Sequence, residues 1–275
     1  MSVRLAILEA AEALAPTSDT PRLDAELMMA ALLDTTRSDM LLRRMGDEVP
    51  SGWGHCVRRR MEREPVAYIL GEAEFRGLTL SVTPAVLIPR GDSETIVEAA
   101  LGACPQAKRI LDCGTGSGAL LLALLAELPG AQGVGIDASA DACAVASGNA
   151  ERLDLAGRCR IEKADWTSAG WAETLGLFDL VVANPPYVED AALLEPDVRD
   201  YEPGSALFAG PDGLDDYRIL VPALPGLLEP GGIAVLEIGY RQADSVSAIA
   251  HAAGFSAELQ RDLGGRPRAL ILRQG

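Results

Sequence analysis

The chain has 275 residues, of which 48% are hydrophobic and 4% aromatic, and a net charge of −16. That length exceeds the usual single compact domain, so two domains are expected, with cores of Leu, Val, Ile and Ala. The acidic balance excludes a broad electrostatic nucleic-acid binder, which would carry a basic face.

The longest apolar run, Leu120 to Leu125, ends close to Glu127, far short of the ~20 residues of a membrane span. Cys56, Cys104, Cys113, Cys143 and Cys159 form no Cys-x-x-Cys pair. Free thiols in a reducing compartment are therefore expected, and with His55 and His251 as the two histidines no metal site is. The start, Met1-Ser2-Val3-Arg4 with Glu9 and Glu12 following, is no signal peptide. A cytoplasmic protein without membrane association is expected.

Residues 1–72 read as a small helical bundle. Leu5, Leu8 and Ala11 keep helical spacing, and Leu23, Leu27, Ala30 and Ala31 share a face of the next helix. Thr20-Pro21 has the form of an N-cap followed by Pro at the first helical position. Asp39–Met45 and Ser51–Arg63 give further short helices. Arg58, Arg59, Arg60 and Arg63 form a basic cluster with two readings, a solvated helix face or a patch that docks a partner. Residues 73–91 read as a β-hairpin and linker. There Phe75, Leu78, Leu80 and Val82 mostly alternate about Arg76-Gly77, and Pro84 and Pro89 punctuate the linker.

From Arg109 onward strands and helices alternate. Strands are expected at 109–112, 132–137, 159–164, 178–183, 232–238, 255–261 and 268–273, and helices near 117–128, 139–154, 213–228 and 241–252. This pattern predicts an α/β domain with a mostly parallel sheet and right-handed crossovers.

The first of these strands runs into Asp112-Cys113-Gly114-Thr115-Gly116-Ser117-Gly118, a loop whose glycines let the backbone approach a ligand ahead of a helix. The next strand ends in Asp137, where a carboxylate can accept both hydroxyls of a ribose. Gly114-x-Gly116-x-x-Ala119 formally matches a dinucleotide fingerprint, whereas Asp112 and the Gly-x-Gly-x-Gly run suit S-adenosylmethionine; a purely structural loop is the third reading. The third strand leads to Asp165-Trp166, placed to accept from an adenine amino group and cover its ring, or else a core Trp beside a solvated Asp.

The fourth strand ends in Asn184-Pro185-Pro186-Tyr187. A residue before Pro is held extended, and each Pro fixes φ and removes a donor. Asn184 offers a side-chain carbonyl and Pro185 a backbone carbonyl, so two acceptors can converge on one NH2 group while Tyr187 packs on its flat face. The plain alternative is a turn started by Asn-Pro.

With the glycine loop, this tetrapeptide resembles the class I methyltransferases that act on planar nitrogen in DNA, RNA or protein. Glu64-Pro65-Val66-Ala67-Tyr68-Ile69-Leu70-Gly71, Phe75, Leu87-Ile88-Pro89-Arg90, Tyr201-Glu202-Pro203, Ala206-Leu207-Phe208, Asp212 to Tyr217 and Leu236-Glu237-Ile238-Gly239 narrow it. They resemble the release factor glutamine methyltransferases, the HemK/PrmC family, over nearly the whole chain.

The resemblance implies a helical substrate-recognition domain at 1–72, a hairpin linker at 73–91 and a Rossmann-like seven-stranded methyltransferase domain at 92–275. It implies methyl transfer from S-adenosyl-L-methionine, leaving S-adenosyl-L-homocysteine, to the side-chain amide nitrogen (N5) of the glutamine in the Gly-Gly-Gln motif of class I peptide chain release factors. Asp112, Gly114, Thr115, Gly116, Ser117, Gly118, Asp137, Asp165, Trp166 and Asn184 would hold the donor. Asn184, Pro185, Pro186 and Tyr187 would hold the glutamine, with Asn184, Pro185 and Tyr187 catalytic.

The chain departs from the family pattern at Gly91, usually Pro, at Ser93, often Thr, and at Gly204, commonly Arg. A DNA or RNA exocyclic-amine methyltransferase is the alternative, disfavoured because both halves of the chain are net acidic. A donor-binding module without catalysis and a dinucleotide oxidoreductase are weaker alternatives. A monomer without stable nucleic-acid binding is expected.

Overall fold

The computed structural model describes residues 1–275. The chain forms two compact units, Met1–Glu72 with Leu194–Glu202, and Ala73–Leu193 with Pro203–Gly275. The division is not strictly sequential, since a short piece from late in the chain joins the first unit.

The first unit contains α1 (Val3–Leu14), α2 (Pro21–Leu32), α3 (Arg37–Asp39, continuing into a π-helical turn Met40–Arg44), α4 (Trp53–Met61) and α5 (Val66–Leu70). The core stripe of α1 is Val3, Ala6, Ile7, Ala10 and Leu14, and α2 contributes Ala25, Met28, Met29 and Ala30. Leu5 and Leu8 of α1 and Leu23 and Leu27 of α2, each pair at helical spacing, lie on exposed faces. Spacing identifies a helix but does not choose between two apolar stripes. The buried stripe of α2 is disguised because it carries Asp24 and Glu26, both buried.

Those acids are buried because arginines neutralise them. Glu26 accepts from Arg22 Nε at 2.8 Å and Arg37 Nε at 2.7 Å. Asp24 accepts from Arg60 Nε at 2.7 Å, and Arg60 also reaches Asp197 at 2.8 Å. Thr20 precedes α2 without capping it; its hydroxyl donates instead to Asp24. Of the basic cluster, Arg59 is bidentate to Glu64, Arg60 is the buried staple and Arg63 donates to the carbonyls of Thr17 and Pro16. These three are internal ties, and Arg58 alone of the four is exposed.

The second unit opens with a two-stranded sheet of β1 (Glu72–Phe75) and β2 (Leu78–Ser81). There follow α6 (Glu94–Ala103), β3 (Arg109–Cys113), α7 (Ala119–Glu127), β4 (Gln132–Asp137), α8 (Ala140–Arg152), β5 (Cys159–Lys163) and β6 (Phe178–Ala183). The chain then visits the first unit as α9 (Pro196–Tyr201) and returns as α10 (Asp215–Ala223), β7 (Leu228–Glu237), α11 (Ala243–Ala252), β8 (Phe255–Arg261) and β9 (Pro267–Gln274). The seven strands order as β5-β4-β3-β6-β7-β9-β8, parallel from β5 to β7, with β9 antiparallel to both its neighbours.

Both faces of the sheet are covered, which is why its central strands are continuous apolar runs. Leu180 and Val182 of β6 face the core that holds α6 and α7, while Val181 and Ala183 face the core that holds α10 and α11. Several elements differ from the sequence reading, among them α9, which was not expected, and α10, which ends before the expected 228. Helix α6 was not expected behind the Pro-rich linker, although Ile96, Val97 and Ala100 give it a buried face. Strand β7 starts earlier than expected, because a register shift opposite Phe178 and Leu180 accommodates Pro230 and its glycines. No helix is long and apolar enough to cross a membrane.

Candidate active site

Register places the site. Cys113 at the end of β3 pairs with Ile136 of β4 on one side and Ala183 of β6 on the other. Gly114, Asp137 and Asn184 therefore emerge together at the carboxyl edge of the sheet, at the point where strand order reverses and ligands bind in such folds. A cavity of about 320 Å³ opens there, lined by Gly114 to Ser117, Asp137, Asp165, Trp166, Asn184 and Pro186. Further wall comes from Phe75, Leu87, Arg90, Ser93, Pro203, Ala206 and Asp216.

The glycine loop is pinned by its neighbours. The N–H groups of Gly114 and Thr115 both donate to the Ile136 carbonyl at 2.9 Å. Asp137 accepts from the Gly116 N–H through Oδ2 and from the Ser139 N–H through Oδ1, each at 2.9 Å, leaving every oxygen one further acceptor site. Gly114 has φ 75°, and a Cβ there would stand 3.0 Å from the Trp166 ring. Only glycine lets the loop pass so close under that ring. Asn149, fully buried, donates to the Ser117 carbonyl at 2.8 Å and exchanges two hydrogen bonds with the Ser81 backbone, so β2 braces the loop.

Asp112 lies beneath the loop and outside the cavity wall. Its Oδ2 accepts from the Thr115 hydroxyl at 2.7 Å, while Oδ1 is buried without a partner. Burial pushes its pKa up to about 7, the Thr115 hydrogen bond and the Leu121 backbone opposing and the nearby Asp137 charge adding to the rise. Gly118 also stands outside the wall, at the start of α7.

Trp166 is oriented by its indole N–H, which donates to Asp216 Oδ1 at 2.8 Å. Burial raises the pKa of Asp216 against that bond, helped by the charges of Asp215 and Asp165. Asp165 accepts from the Thr167 hydroxyl at 2.6 Å and its N–H at 2.8 Å, and these bonds lower its pKa.

The Asn184–Tyr187 turn is clamped from behind. Gln242 Nε2 donates to the Tyr187 carbonyl at 3.0 Å and the Gly213 carbonyl at 3.1 Å, while its Oε1 accepts from the Gly239 N–H at 3.0 Å. Gly213, with φ 68°, has no room for a side chain, since a Cβ would collide with the Tyr187 carbonyl. This accounts for glycine in Asp212-Gly213-Leu214. Asn184 Nδ2 points to Ser93 Oγ at 3.4 Å. The Tyr187 hydroxyl turns away from the cavity to Glu237 Oε1 at 3.4 Å, and burial followed by the Glu237 charge raises its pKa. Pro186, not Tyr187, forms the cavity wall here beside Asn184, and Pro185 between them is buried.

Ser93, Asn149, Asp216 and Gln242 were not expected as parts of the site. Each acts through a partner far along the chain, and none sits in a contiguous motif of its own. Asp216 and Glu237 do lie inside runs that carry the family resemblance, and an acid in an otherwise apolar strand end, as at Glu237, was the available signal.

Comparison with known proteins gives the family and the fold. The model of the PrmC N-terminal domain matches residues 6–71, and that of a methyltransferase domain matches residues 106–235. The release factor glutamine methyltransferase of Caulobacter vibrioides is 44% identical over 243 residues, covering 86% of this chain and 83% of that protein. The protein of the same name from Moorella thermoacetica is 42% identical over 282 residues, covering 98% of each. Among solved structures, a methyltransferase from Pyrococcus furiosus superimposes with TM-score 0.53 at 19% identity, over 73% of this chain and 90% of that one. An O-methyltransferase family protein from Burkholderia thailandensis does so with TM-score 0.50 at 18% identity, over 67% and 57%. At such identities the likeness speaks to the fold alone.

Proposed function

The chain belongs to the release factor glutamine methyltransferase family, and we propose that it methylates the side-chain amide of the Gly-Gly-Gln glutamine in class I peptide chain release factors. The observation that carries this reading is the strand register that sets Asn184 directly beside the glycine loop in one cavity. A donor and a planar amide held there would meet.

S-adenosyl-L-methionine, when bound, supplies an electrophilic methyl group on a sulfonium. Four features support its fit. The loop presents Gly116 with open space beside it, and Asp137 at the end of β4 is fixed with acceptor capacity to spare for two hydroxyls. Trp166 over Gly114 gives a flat apolar wall for a ring, and Asp165 an acceptor beside it. Asp112 and Gly118 act one layer back, the first by holding Thr115 and the second by opening α7.

The chain's own chemistry is positioning and charge placement. Asn184 Oδ1 and the Pro185 carbonyl accept the two N–H bonds of the glutamine amide. They thereby stabilise the positive charge that develops on nitrogen as it gives up conjugation, an interaction stronger in the transition state than in the bound substrate. Tyr187 stiffens the turn and presents its carbonyl to the Gln242 clamp. No residue of the turn is a base, so the proton leaves the methylated nitrogen to water.

The proposed partner is a protein, and the proposed setting is the cytoplasm, where all five cysteines would persist as the free thiols they are here. The chain is proposed to act as a monomer without stable nucleic-acid binding. The test is transfer from labelled donor to purified release factors and to bulk DNA and RNA in parallel. Label is expected in the release factor alone; label in nucleic acid and none in protein would replace this reading with the exocyclic-amine alternative.

A further inference from the structure

A buried hydrogen-bonded chain leads from Asn184 away from the cavity. Asn184 Nδ2 donates to Ser93 Oγ at 3.4 Å, and the Ser93 hydroxyl donates to Glu237 Oε2 at 2.6 Å. The other carboxylate oxygen, Oε1, takes the Tyr187 hydroxyl at 3.4 Å. Ser93 is 5% and Glu237 1% exposed. Ser93 stands at the start of α6 and Glu237 at the end of β7, so neither belongs to the tetrapeptide they serve.

A hydroxyl has one proton to give. The short bond to a carboxylate commits that proton, because charge-assisted bonds are the stronger kind. Ser93 then shows Asn184 only a lone pair, and only the NH2 half of the amide can face a lone pair. The carbonyl half is left for the cavity that Asn184 lines. Without this constraint the amide can turn over at little steric expense, and it would then present N–H groups to a substrate NH2, donor against donor.

We propose that Ser93 and Glu237 are positioning residues that fix the Asn184 amide with its oxygen toward the substrate. This role rests on the proposed methyl transfer to an amide. Glu237 sets the direction, Ser93 transmits it, and Tyr187 is bound to the same carboxylate, so the two polar members of the turn share one anchor. The groups that face Glu237 are Arg268 of β9, Asp92 before α6, Ser93, Tyr187 and, on its backbone carbonyl, Tyr217 of α10. Burial dominates among them and pushes the Glu237 carboxyl up to about 7, with Ser93, Arg268 and Tyr187 opposing and Asp92 adding. A protonated Glu237 can donate to Ser93, which frees the hydroxyl to turn round. The Asn184 constraint is then lost as pH falls through that value.

Two measurements on the full chain test this. The first is steady-state transfer to a release factor by wild type, Ser93→Ala and Ser93→Thr, with donor affinity by calorimetry. Ser93→Ala is expected to lower kcat about tenfold or more, toward the loss of one oriented transition-state contact, with donor Kd little changed and the melting temperature lowered by the loss of a donor to the buried Glu237 carboxyl. Ser93→Thr, which keeps the hydroxyl, is expected to recover most of kcat. Wild-type turnover in Ser93→Ala, a fall in donor affinity in step with kcat, or no recovery of kcat in Ser93→Thr overturns the proposal.

The second measurement needs no activity. The side-chain NH2 signal of Asn184, assigned by its loss in Asn184→Asp, is followed by NMR against pH. It should titrate near pH 7 in wild type and cease to do so in Ser93→Ala and Glu237→Gln; a signal indifferent to pH in wild type sinks the idea. If wild type methylates no release factor, the functional reading fails, and this signal still decides whether the relay exists.

Discussion

At Asp112 the fold buries a carboxyl with one oxygen unpartnered, an arrangement that favours the protonated form. Its folded pKa of about 7 lies above the ordinary 3.8, so the folded chain holds this proton more tightly than the unfolded one. The resulting stability is fully present below about pH 4 and is lost as pH rises through about 7; Glu237 adds a second contribution of the same sign between 4.5 and about 7. Asp112→Asn, which cannot ionise, should shrink the difference in unfolding free energy between pH 5 and pH 8 by roughly 2–4 kcal/mol. Denaturant melts at the two pH values check it, and an unchanged difference would contradict the assignment. At the cavity itself the roles separate by measurement. Asn184→Ala is expected to cut kcat by about 100-fold with donor affinity kept. Asp137→Ala is expected to weaken donor binding by about tenfold or more, the worth of a charged hydrogen bond. Calorimetric titration and steady-state kinetics on both variants would expose an inverted assignment. The glycine loop, Asp137 and Asn184–Tyr187 were legible in the sequence because each is a contiguous run at a strand end. Ser93 and Glu237 were not, since their meeting depends on register between β6 and β7 and on where α6 begins.

Among the elements, the turn after β6 is rigid for a reason the two prolines only half explain. Its backbone is also clasped by Gln242 against Gly213, so the start of α10 and the start of α11 both press on it. Gln242→Ala leaves the partly buried carbonyls of Tyr187 and Gly213 without that donor. It should destabilise the chain by about 1–3 kcal/mol and lower kcat with donor affinity kept. Thermal melts with kinetics on the same sample test this, and an unaltered kcat would show that the prolines suffice. The helices that were expected lie within a few residues of their predicted places, because breakers and caps bracket them, whereas α6 and α9 were missed. Helix faces were less so. On α1 and α2 the regular leucines proved exposed, and the buried stripe included acids that only Arg22, Arg37 and Arg60 make tolerable. Such pairing is invisible to a hydrophobic pattern, and the same pairing dissolves the apparent basic patch of α4.

For the whole molecule, alternation of strands and helices was enough to read a parallel α/β sheet, and the order β5-β4-β3-β6-β7-β9-β8 completes it with an antiparallel pair at one edge. What the linear reading lacked was the return of 194–202 to the first unit, where Arg60 bridges Asp24 and Asp197. That segment leaves the second unit soon after the Asn-Pro-Pro-Tyr turn and re-enters it at Pro203, a cavity residue. Arg60→Ala takes the guanidinium from buried Asp24, which keeps the Ser18 and Thr20 hydroxyls, and from Asp197, which keeps Arg63, and should cost about 3 kcal/mol. Chemical denaturation followed by Trp53 fluorescence in the first unit reads it, and a loss below about 1 kcal/mol would refute the staple.

Methyl transfer to a glutamine side-chain amide is the activity proposed for this chain. Its most direct test is fragment-resolved mass spectrometry of a class I release factor incubated with the chain and S-adenosyl-L-methionine. One added methyl is expected, confined to the side chain of the Gly-Gly-Gln glutamine and missing when Asn184→Ala replaces the wild-type chain. A methyl on any other residue, or an unmodified glutamine under conditions where the donor is consumed, would contradict it.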